Sequence, residues 1–526
     1  MIKYHRLLFL IPMLVILLAV LLVGALPLRK VPIERYRSIA RPPAIRPDYS
    51  NTVIPSNIAP LNFLIQEKAA QYCVKIHSKQ GPPIEIFSRS PKIMIPAKPW
   101  RRLLSANTGE SLYLDVFVKK ANAQWSRFTT ITNKIANDPI DKFLVYRKIH
   151  PAHSNWRDMG IYQRNLQNFD ESVVLDNGYC KRACLNCHAF CANRTDRMLI
   201  GVRSRIYGNS AILAKDGAVD KIGAKFGYTS WHPSGRLAAY SINKARQFFH
   251  TARNEVRDVV DLDSALAYYL IDSQTLKTSP DISKKDRLET YPTWSPDGRY
   301  LYFSSAPMLW SDRDQVPPQH YDEVKYDLMR ISYDINKDRW GQLETVLAAR
   351  DTGLSILQPR ISPDGRWLLF CMCDYGCFPV YQQSSDLYLM DLKPPEQTDR
   401  HKYRRLDINS DQSESWHSFS SNSRWLAFSS KKNNYVFTRI YLSYLDRQGN
   451  VYKPILMPQK DPAFYDSCLK TYSLPEFVTS PVQAKGEKLG RTVRSYDKIS
   501  IPLPITMATP KDTAEPDYED PWQQRE

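Results

Sequence analysis

Trp294-Ser295-Pro296-Asp297-Gly298-Arg299, followed by Tyr300-Leu301-Tyr302-Phe303-Ser304, is the stretch that decides the fold. Pro presets φ for a tight turn, and Gly supplies the position that needs positive φ. The five residues after the turn are apolar enough for a buried strand. The chain repeats this unit. Ile361-Ser362-Pro363-Asp364-Gly365-Arg366 precedes Trp367-Leu368-Leu369-Phe370-Cys371, and Trp231-His232-Pro233-Ser234-Gly235-Arg236 precedes Leu237-Ala238-Ala239-Tyr240-Ser241. A degenerate copy, Phe419-Ser420-Ser421-Asn422-Ser423-Arg424, precedes Trp425-Leu426-Ala427-Phe428-Ser429. The arginines at 236, 299, 366 and 424 are regularly spaced, which signals a repeat architecture.

A further strand pattern follows each copy, at Ala265–Ile271, Asp327–Tyr333, Asp386–Met390 and Arg439–Leu445. Strand, tight turn, strand, loop and strand is the pattern of a β-propeller blade. The copies resemble those of TolB-type propellers, whose repeats carry W-S-P-D-G before an apolar strand. The resemblance covers residues 196–475; four copies are clear, and weak ones at the two ends give an expectation of six blades, with five as the alternative. It implies no reaction, because such propellers serve as scaffolds, lids and enzymes alike. The period exceeds that of a minimal blade. The excess lies in three inserts, Asn243–Ser264 with His250, Ala306–Tyr326 with His320, and Met372–Ser385 with Cys373 and Cys377. Equivalent loops emerge on one propeller face, so the three inserts are expected to cover one end of the central tunnel.

A second signal is chemical. Asn177–Cys191 reads N-G-Y-C-K-R-A-C-L-N-C-H-A-F-C and contains Cys184-Leu185-Asn186-Cys187-His188. This C-x-x-C-H string resembles the attachment site of c-type cytochromes. Two thiols add to the haem vinyl groups, and the adjacent imidazole ligates iron. Cys184 and Cys187 are thus the candidate haem-binding residues, with His188 as the proximal iron ligand. Two other readings of the stretch stand beside haem c. Zinc takes thiolate and imidazole ligands at short spacing, from Cys180, Cys184, Cys187, Cys191 and His188. Disulfides form among the four cysteines in an oxidising compartment. With haem on Cys184 and Cys187, a Cys180–Cys191 disulfide would close the loop at its base.

His232 and His250 are the candidate sixth ligands. His232 stands where the other copies have Ser295 and Ser362, and His250 lies in an insert expected to cover the haem. His150, His153, Met159 and Met198 are weaker candidates. For each histidine the ordinary alternative is a hydrogen-bonded side chain with no ligand. Cys371, Cys373 and Cys377 read as one disulfide plus a buried thiol, or as a metal site. Cys73 reads as a small buried hydrophobe.

The C-x-N-C-H string, W-H-P-S-G and the run Ile242-Asn243-Lys244-Ala245-Arg246-Gln247-Phe248-Phe249-His250 together are similar to a bacterial family of exported TolB-like proteins with a cytochrome c signature. A more remote likeness is to the large subunit of hydrazine synthase, which carries more than one such string. The family resemblance implies a periplasmic or membrane-attached location.

The remaining chain is read in order. Leu7–Leu28 is almost wholly apolar and long enough to cross a bilayer, so 1–28 is expected to be a signal anchor. A signal peptide cleaved after Val23-Gly24-Ala25 is the alternative. The basic residues Arg29, Lys30, Arg35 and Arg37 would by charge counting keep the body in the cytoplasm, whereas the haem string places it outside. Residues 29–58 read as a proline-rich linker. Residues 59–150 alternate with period two, most clearly over Ser111–Val118, and resemble an immunoglobulin-like β-sandwich. Residues 151–195 read as a haem-binding connecting segment, 196–475 as the propeller, and 476–526 as an extension with a disordered acidic end.

The net charge is +18. Between Arg29 and His150 there are 21 Lys and Arg against 8 Asp and Glu, so most of the excess is N-terminal. That excess is a solvated surface or a contact for anionic lipid or an acidic partner. No nucleic-acid reader motif accompanies it. No G-x-S-x-G elbow, phosphate-binding glycine loop or dinucleotide fingerprint is present. The expectation is a mainly β, membrane-anchored, exported haem c protein that passes electrons to a periplasmic partner. The alternatives are a protein-binding propeller scaffold with a structural cysteine segment, and a haem enzyme with an open iron site.

Overall fold

The computed structural model describes residues 33–151, 158–181, 183–224, 226–393 and 402–500. The expected membrane segment 1–28, His153 and the acidic end lie outside these residues. Among the described residues no helix is long and apolar enough to cross a membrane.

Six four-stranded antiparallel sheets follow one another along the chain. Each turn motif joins the innermost strand of a sheet to the second. In blade four Gly298 takes φ 73°, and its N–H donates to the Ser295 carbonyl. The Ser295 hydroxyl donates to Asp297 at 2.5 Å and accepts from the Tyr300 N–H at 3.0 Å. Ser362 and Asp364 repeat the arrangement in blade five, and Ser420 and Asn422 in blade six.

The propeller starts earlier than the repeat suggests. Blade one takes Phe143–Ile149, Gly160–Asn165 and Glu171–Asp176 from the start of the ring and Thr471–Val478 from its end. The last strand pairs antiparallel with Phe143–Ile149 and closes the circle. Blade two is Cys184–Cys191, Arg194–Arg203, Ser210–Lys215 and Ala218–Ile222. The segment expected to be a haem-binding connector is therefore strand, with Cys184–Cys191 the inner strand of a blade. It lacked the repeat signature because its turn, Ala192-Asn193, is a two-residue hairpin with φ of 49° and 58° in place of S-P-D-G.

The N-terminal domain corrects two further expectations. Tyr36–Ile39 and Val53–Ile54, within the expected linker, pair parallel with Trp125–Phe128 and Ile131–Ile135. The prolines there interrupt strands without preventing them, because these short pieces sit at sheet edges. The domain has a seven-stranded and a three-stranded sheet plus the helix Ala97–Ala106. Its parallel pairs set it apart from the all-antiparallel immunoglobulin-like sandwich. Its apolar core runs without a break into blades six and one through Trp425, Leu442, Tyr472 and Phe477. The Trp425 indole N–H donates to the Asp138 carbonyl at 3.0 Å, and the Tyr49 hydroxyl to the Leu456 carbonyl at 3.1 Å. At the other end, the helix Gly486–Arg494 packs Leu489 and Val493 into the core of blades one and two, so the start of the extension is structured.

Phe477 is fully buried on the closing strand, where domain core and ring meet. Phe477→Ala is expected to destabilise the protein by about 3–5 kcal/mol. The midpoint of denaturant unfolding checks this, with Phe464→Ala, exposed at the start of the short helix Phe464–Ser467, as a control expected to leave the midpoint in place.

Candidate functional site

Each inner strand carries one extra residue at the same level. The pairing registers skip between Leu185 and His188, Gly227 and Ser230, Thr290 and Thr293, Leu357 and Arg360, and Ser415 and Ser418. The closing strand does the same between Ser473 and Glu476. A bulge re-aims the side chains of its strand. Tyr228, Tyr291, Gln358, Trp416 and Leu474 occupy one bulge position in five blades, all with φ between 48° and 55°. Non-glycine residues seldom adopt that conformation, and its recurrence five times marks a structural requirement of the ring.

These bulges shape a central cavity of ≈ 330 Å³, which reaches the turn-side end of the tunnel at Pro233, Pro296 and Pro363. At the other end Tyr228 packs on Tyr291 at 4.2 Å and on Trp416 at 5.9 Å between ring centroids. The three inserts close that end. The Tyr291 hydroxyl donates to the Cys377 carbonyl at 2.7 Å, and the Cys377 thiol reaches the Val259 carbonyl. Trp310 donates to the Leu262 carbonyl at 3.0 Å. The inserts thus cover one tunnel end, as expected, but the cavity lies on the far side of the aromatic layer.

The layer after the bulge residue holds Cys187, Thr229, Pro292, Pro359, His417 and Pro475; the next holds His188, Ser230, Thr293, Arg360, Ser418 and Glu476. All twelve line the cavity. His188 is 4% exposed, and neither ring nitrogen makes a close hydrogen bond, although the Val145 and Leu474 carbonyls lie near enough to act on the ring. Burial, reinforced by Arg147, pushes its pKa down to about 3, so the imidazole is neutral. Burial also lowers His417 to about 3; its Nε2 faces the Leu369 carbonyl at 3.0 Å and its Nδ1 the Cys371 thiol at 3.7 Å. The Glu476 carboxyl accepts from the Phe190 N–H at 3.0 Å and is pushed up to about 7 by burial, against the pull of Arg360. Arg360 is partly exposed at the cavity, and its guanidinium makes no hydrogen bond or ion pair among the described residues.

The structure separates several residues that the sequence groups. Cys187 and His188 border the cavity, but Cys184 lies in the apolar core of blades one and two, where the Arg203 guanidinium donates to its sulfur at 3.4 Å. Cys180 shares that core, while Cys191 lies in the core between blades two and three. The Cys180–Cys191 disulfide is absent, because Cys180, at the end of the short helix Asn177–Cys180, and Cys191, at the end of the strand, lie in cores on opposite sides of the blade. Cys371, Cys373 and Cys377 are likewise free and buried, as is Cys73. Among the described residues no three His, Cys, Asp or Glu side chains converge as a metal-holding group, so the zinc set is not assembled.

Neither expected sixth ligand reaches His188. His232 is a turn residue. Its Nδ1 lies 2.7 Å from the Ser234 hydroxyl and its Nε2 3.1 Å from the Gly298 carbonyl, so it stands in for the serine of the other copies. His250 sits in the hairpin insert, away from the cavity lining. Met159 and Met198 pack in the core of blades one and two, and the Met159 sulfur accepts from the Leu185 N–H at 3.2 Å. His150 lies at the end of its blade-one strand, outside the cavity lining.

Arg360, His417 and Glu476 were missed in the sequence. Their signal is positional: Arg360 precedes the motif serine Ser362 by two residues, as Thr293 precedes Ser295.

The sequence matches no protein-family model and no curated protein. Among solved structures it is similar to TolB from Acinetobacter baumannii, at 12% identity over 84% of this chain and 96% of that chain, with a TM-score of 0.40. Kuenenia stuttgartiensis hydrazine synthase is similar at 11% identity over 50% of this chain and 63% of that chain, with a TM-score of 0.29. A prolyl endopeptidase is similar at 10% identity over 73% and 42%, with a TM-score of 0.32. None of these likenesses transfers a ligand or a reaction. The class rests on the topology itself: a six-bladed propeller closed by its last strand, with a cavity in its tunnel.

The buried imidazoles set an acid limit. The unfolded chain protonates His417 below about pH 6.5, whereas the folded chain resists until about 3. Stability therefore falls as the pH drops through that window, by about 1.4 kcal/mol per pH unit for each such histidine. His417→Gln is expected to reduce the slope of unfolding free energy between pH 6 and pH 4 by one proton, read from denaturant melts along a pH series.

Proposed function

We propose that this protein is a ligand-binding propeller whose recognition site is the tunnel cavity beneath the aromatic layer. The observation that carries this is His188, a buried imidazole at the wall of a cavity that makes no close hydrogen bond and has only the Val145 and Leu474 carbonyls nearby. A buried polar group without a partner costs on the order of 1–3 kcal/mol, so the site is completed by something bound. The cavity is at the small end of the range for small-molecule pockets, about 300–1,000 Å³. Cys184, Cys180 and Cys191 serve in this reading as buried core residues of blades one to three. A fold of the TolB-like kind, exported and tethered through residues 1–28, belongs to the same proposal. Thermal melting against a panel of small organic compounds tests it. At least one compound class is expected to raise the melting temperature of the native protein and not that of Ser418→Phe, whose ring would fill the cavity. Equal responses of the two proteins would remove the tunnel as the site.

The second reading, an electron-transferring c-type haem protein, is favoured by the same buried imidazole beside Cys187. Haem would supply a one-electron iron centre. His188 would hold the iron and Cys187 one thioether, since both border the cavity. Cys184 does not open on the cavity, so the second thioether has no place in this arrangement, and no electron-transfer step is derived. A pyridine haemochrome spectrum after expression with a cytochrome c maturation system decides. A c-type band at one haem per chain that is lost in His188→Ala and Cys187→Ala establishes the haem reading; no covalent haem eliminates it.

A further inference from the structure

We infer that the tunnel ligand is a small organic carboxylate, gripped by Arg360 and completed by a hydrogen bond from His188. The inference rests on the binding reading above and adds the chemical class. Several arginines elsewhere in the ring have carboxylate partners, while others, such as Arg164 and Arg439, are satisfied by carbonyls. Arg287 pairs with Asp327, Arg366 with Asp391, Arg424 with Asp364 and Arg405 with Asp386, all within 3.2 Å. Arg360 has none, although it lines the cavity. A guanidinium presents a planar fork of donors that matches a carboxylate.

The surroundings favour an anion. Glu476 is the acidic residue lining the cavity; burial pushes its pKa up to about 7, and it feels the charge of Arg360 without forming a contact ion pair. Arg147 and Arg203 add positive potential at the wall formed by Cys187 and His188. The backbone offers few competing donors, because Pro292, Pro359 and Pro475 occupy one layer of three of the six blades and have no N–H. The remaining donors are Arg360, the neutral His188 and hydroxyls such as that of Ser418, which is buried and unpartnered. The aromatic and proline walls, from Tyr228, Trp416, Pro292 and Pro359, suit an apolar body behind the carboxylate.

The probe is benzoate, with benzamide as its neutral control, titrated at pH 7.5 against the full chain. Trp231, Trp294 and Trp416 line the cavity and report through their fluorescence. Saturable benzoate binding is expected, with benzamide at least tenfold weaker. Arg360→Gln is expected to weaken benzoate at least tenfold with an unchanged melting temperature. Arg360→Lys, which keeps the charge and loses the fork, is expected to weaken it less, and it carries the test if the glutamine variant fails to fold. Benzamide as tight as benzoate, with both lost in Ser418→Phe, overturns the carboxylate and leaves the tunnel as the site of a neutral ligand. Unchanged benzoate binding in both arginine variants also overturns it. No saturable response to either compound overturns it too, and the melting comparison with Ser418→Phe then decides the binding reading by itself.

Discussion

The antiparallel pairing of Thr471–Val478 with Phe143–Ile149 is the constraint on which the structure depends. A ring of sheets has two free ends, and each would expose an unpaired face and edge to water. Here the two ends share one blade, so the first and last parts of the propeller are held by backbone hydrogen bonds and not by side-chain contact alone. The same strand buries Tyr472 and Phe477 in the core that joins ring and N-terminal domain. Closure of the circle and docking of the domain are therefore one event in space.

Closure also creates the site. The closing strand brings Glu476 into the ring of post-bulge residues, in the blade next to that of His188 and two blades from that of Arg360. Each blade contributes a bulge at the same level, and five of them hold a non-glycine residue at positive φ. Such a backbone is strained by itself. Here the aromatic layer of Tyr228, Tyr291 and Trp416, backed by the blade-five insert at Cys377, compensates by burying large rings across the tunnel. That layer divides the tunnel. Above it the inserts make a plug that combines the apolar cluster of Phe248, Val260 and Leu262 with the Tyr375–Asp258 hydrogen bond. Below it the chain leaves a cavity of mixed lining, with Arg360, His188 and Glu476 at its wall.

The cysteine segment shows how a local string acquires a different meaning in the fold. As inner strand of blade two, Cys184–Cys191 must hydrogen-bond to Arg194–Arg203 and present alternate side chains to the cores on its two sides. Cys184 and Cys191 fill those cores. Cys187 and His188 fall on the bulge, at the positions held elsewhere by Thr229 and Ser230 or by Pro359 and Arg360. His232 is resolved in the same way, since its imidazole performs the turn-capping of Ser295 and Ser362.

The sequence by itself determined the propeller, because Pro and Gly encode the turn locally and the apolar strand follows within five residues. It also determined the three inserts and the end of the tunnel they cover, since loop length is a property of the linear chain. Only the tertiary structure decided the number of blades, because blade one is assembled from strands some 300 residues apart and blade two turns on Ala192-Asn193 without the motif. The parallel edge strands of the N-terminal domain were hidden for a related reason: pairs such as Tyr36–Ile39 with Trp125–Phe128 leave no local pattern. The site was half legible. His188 and Cys187 stood out by their spacing, whereas Arg360, His417 and Glu476 are ordinary polar residues until the bulges of separate blades align them around one cavity.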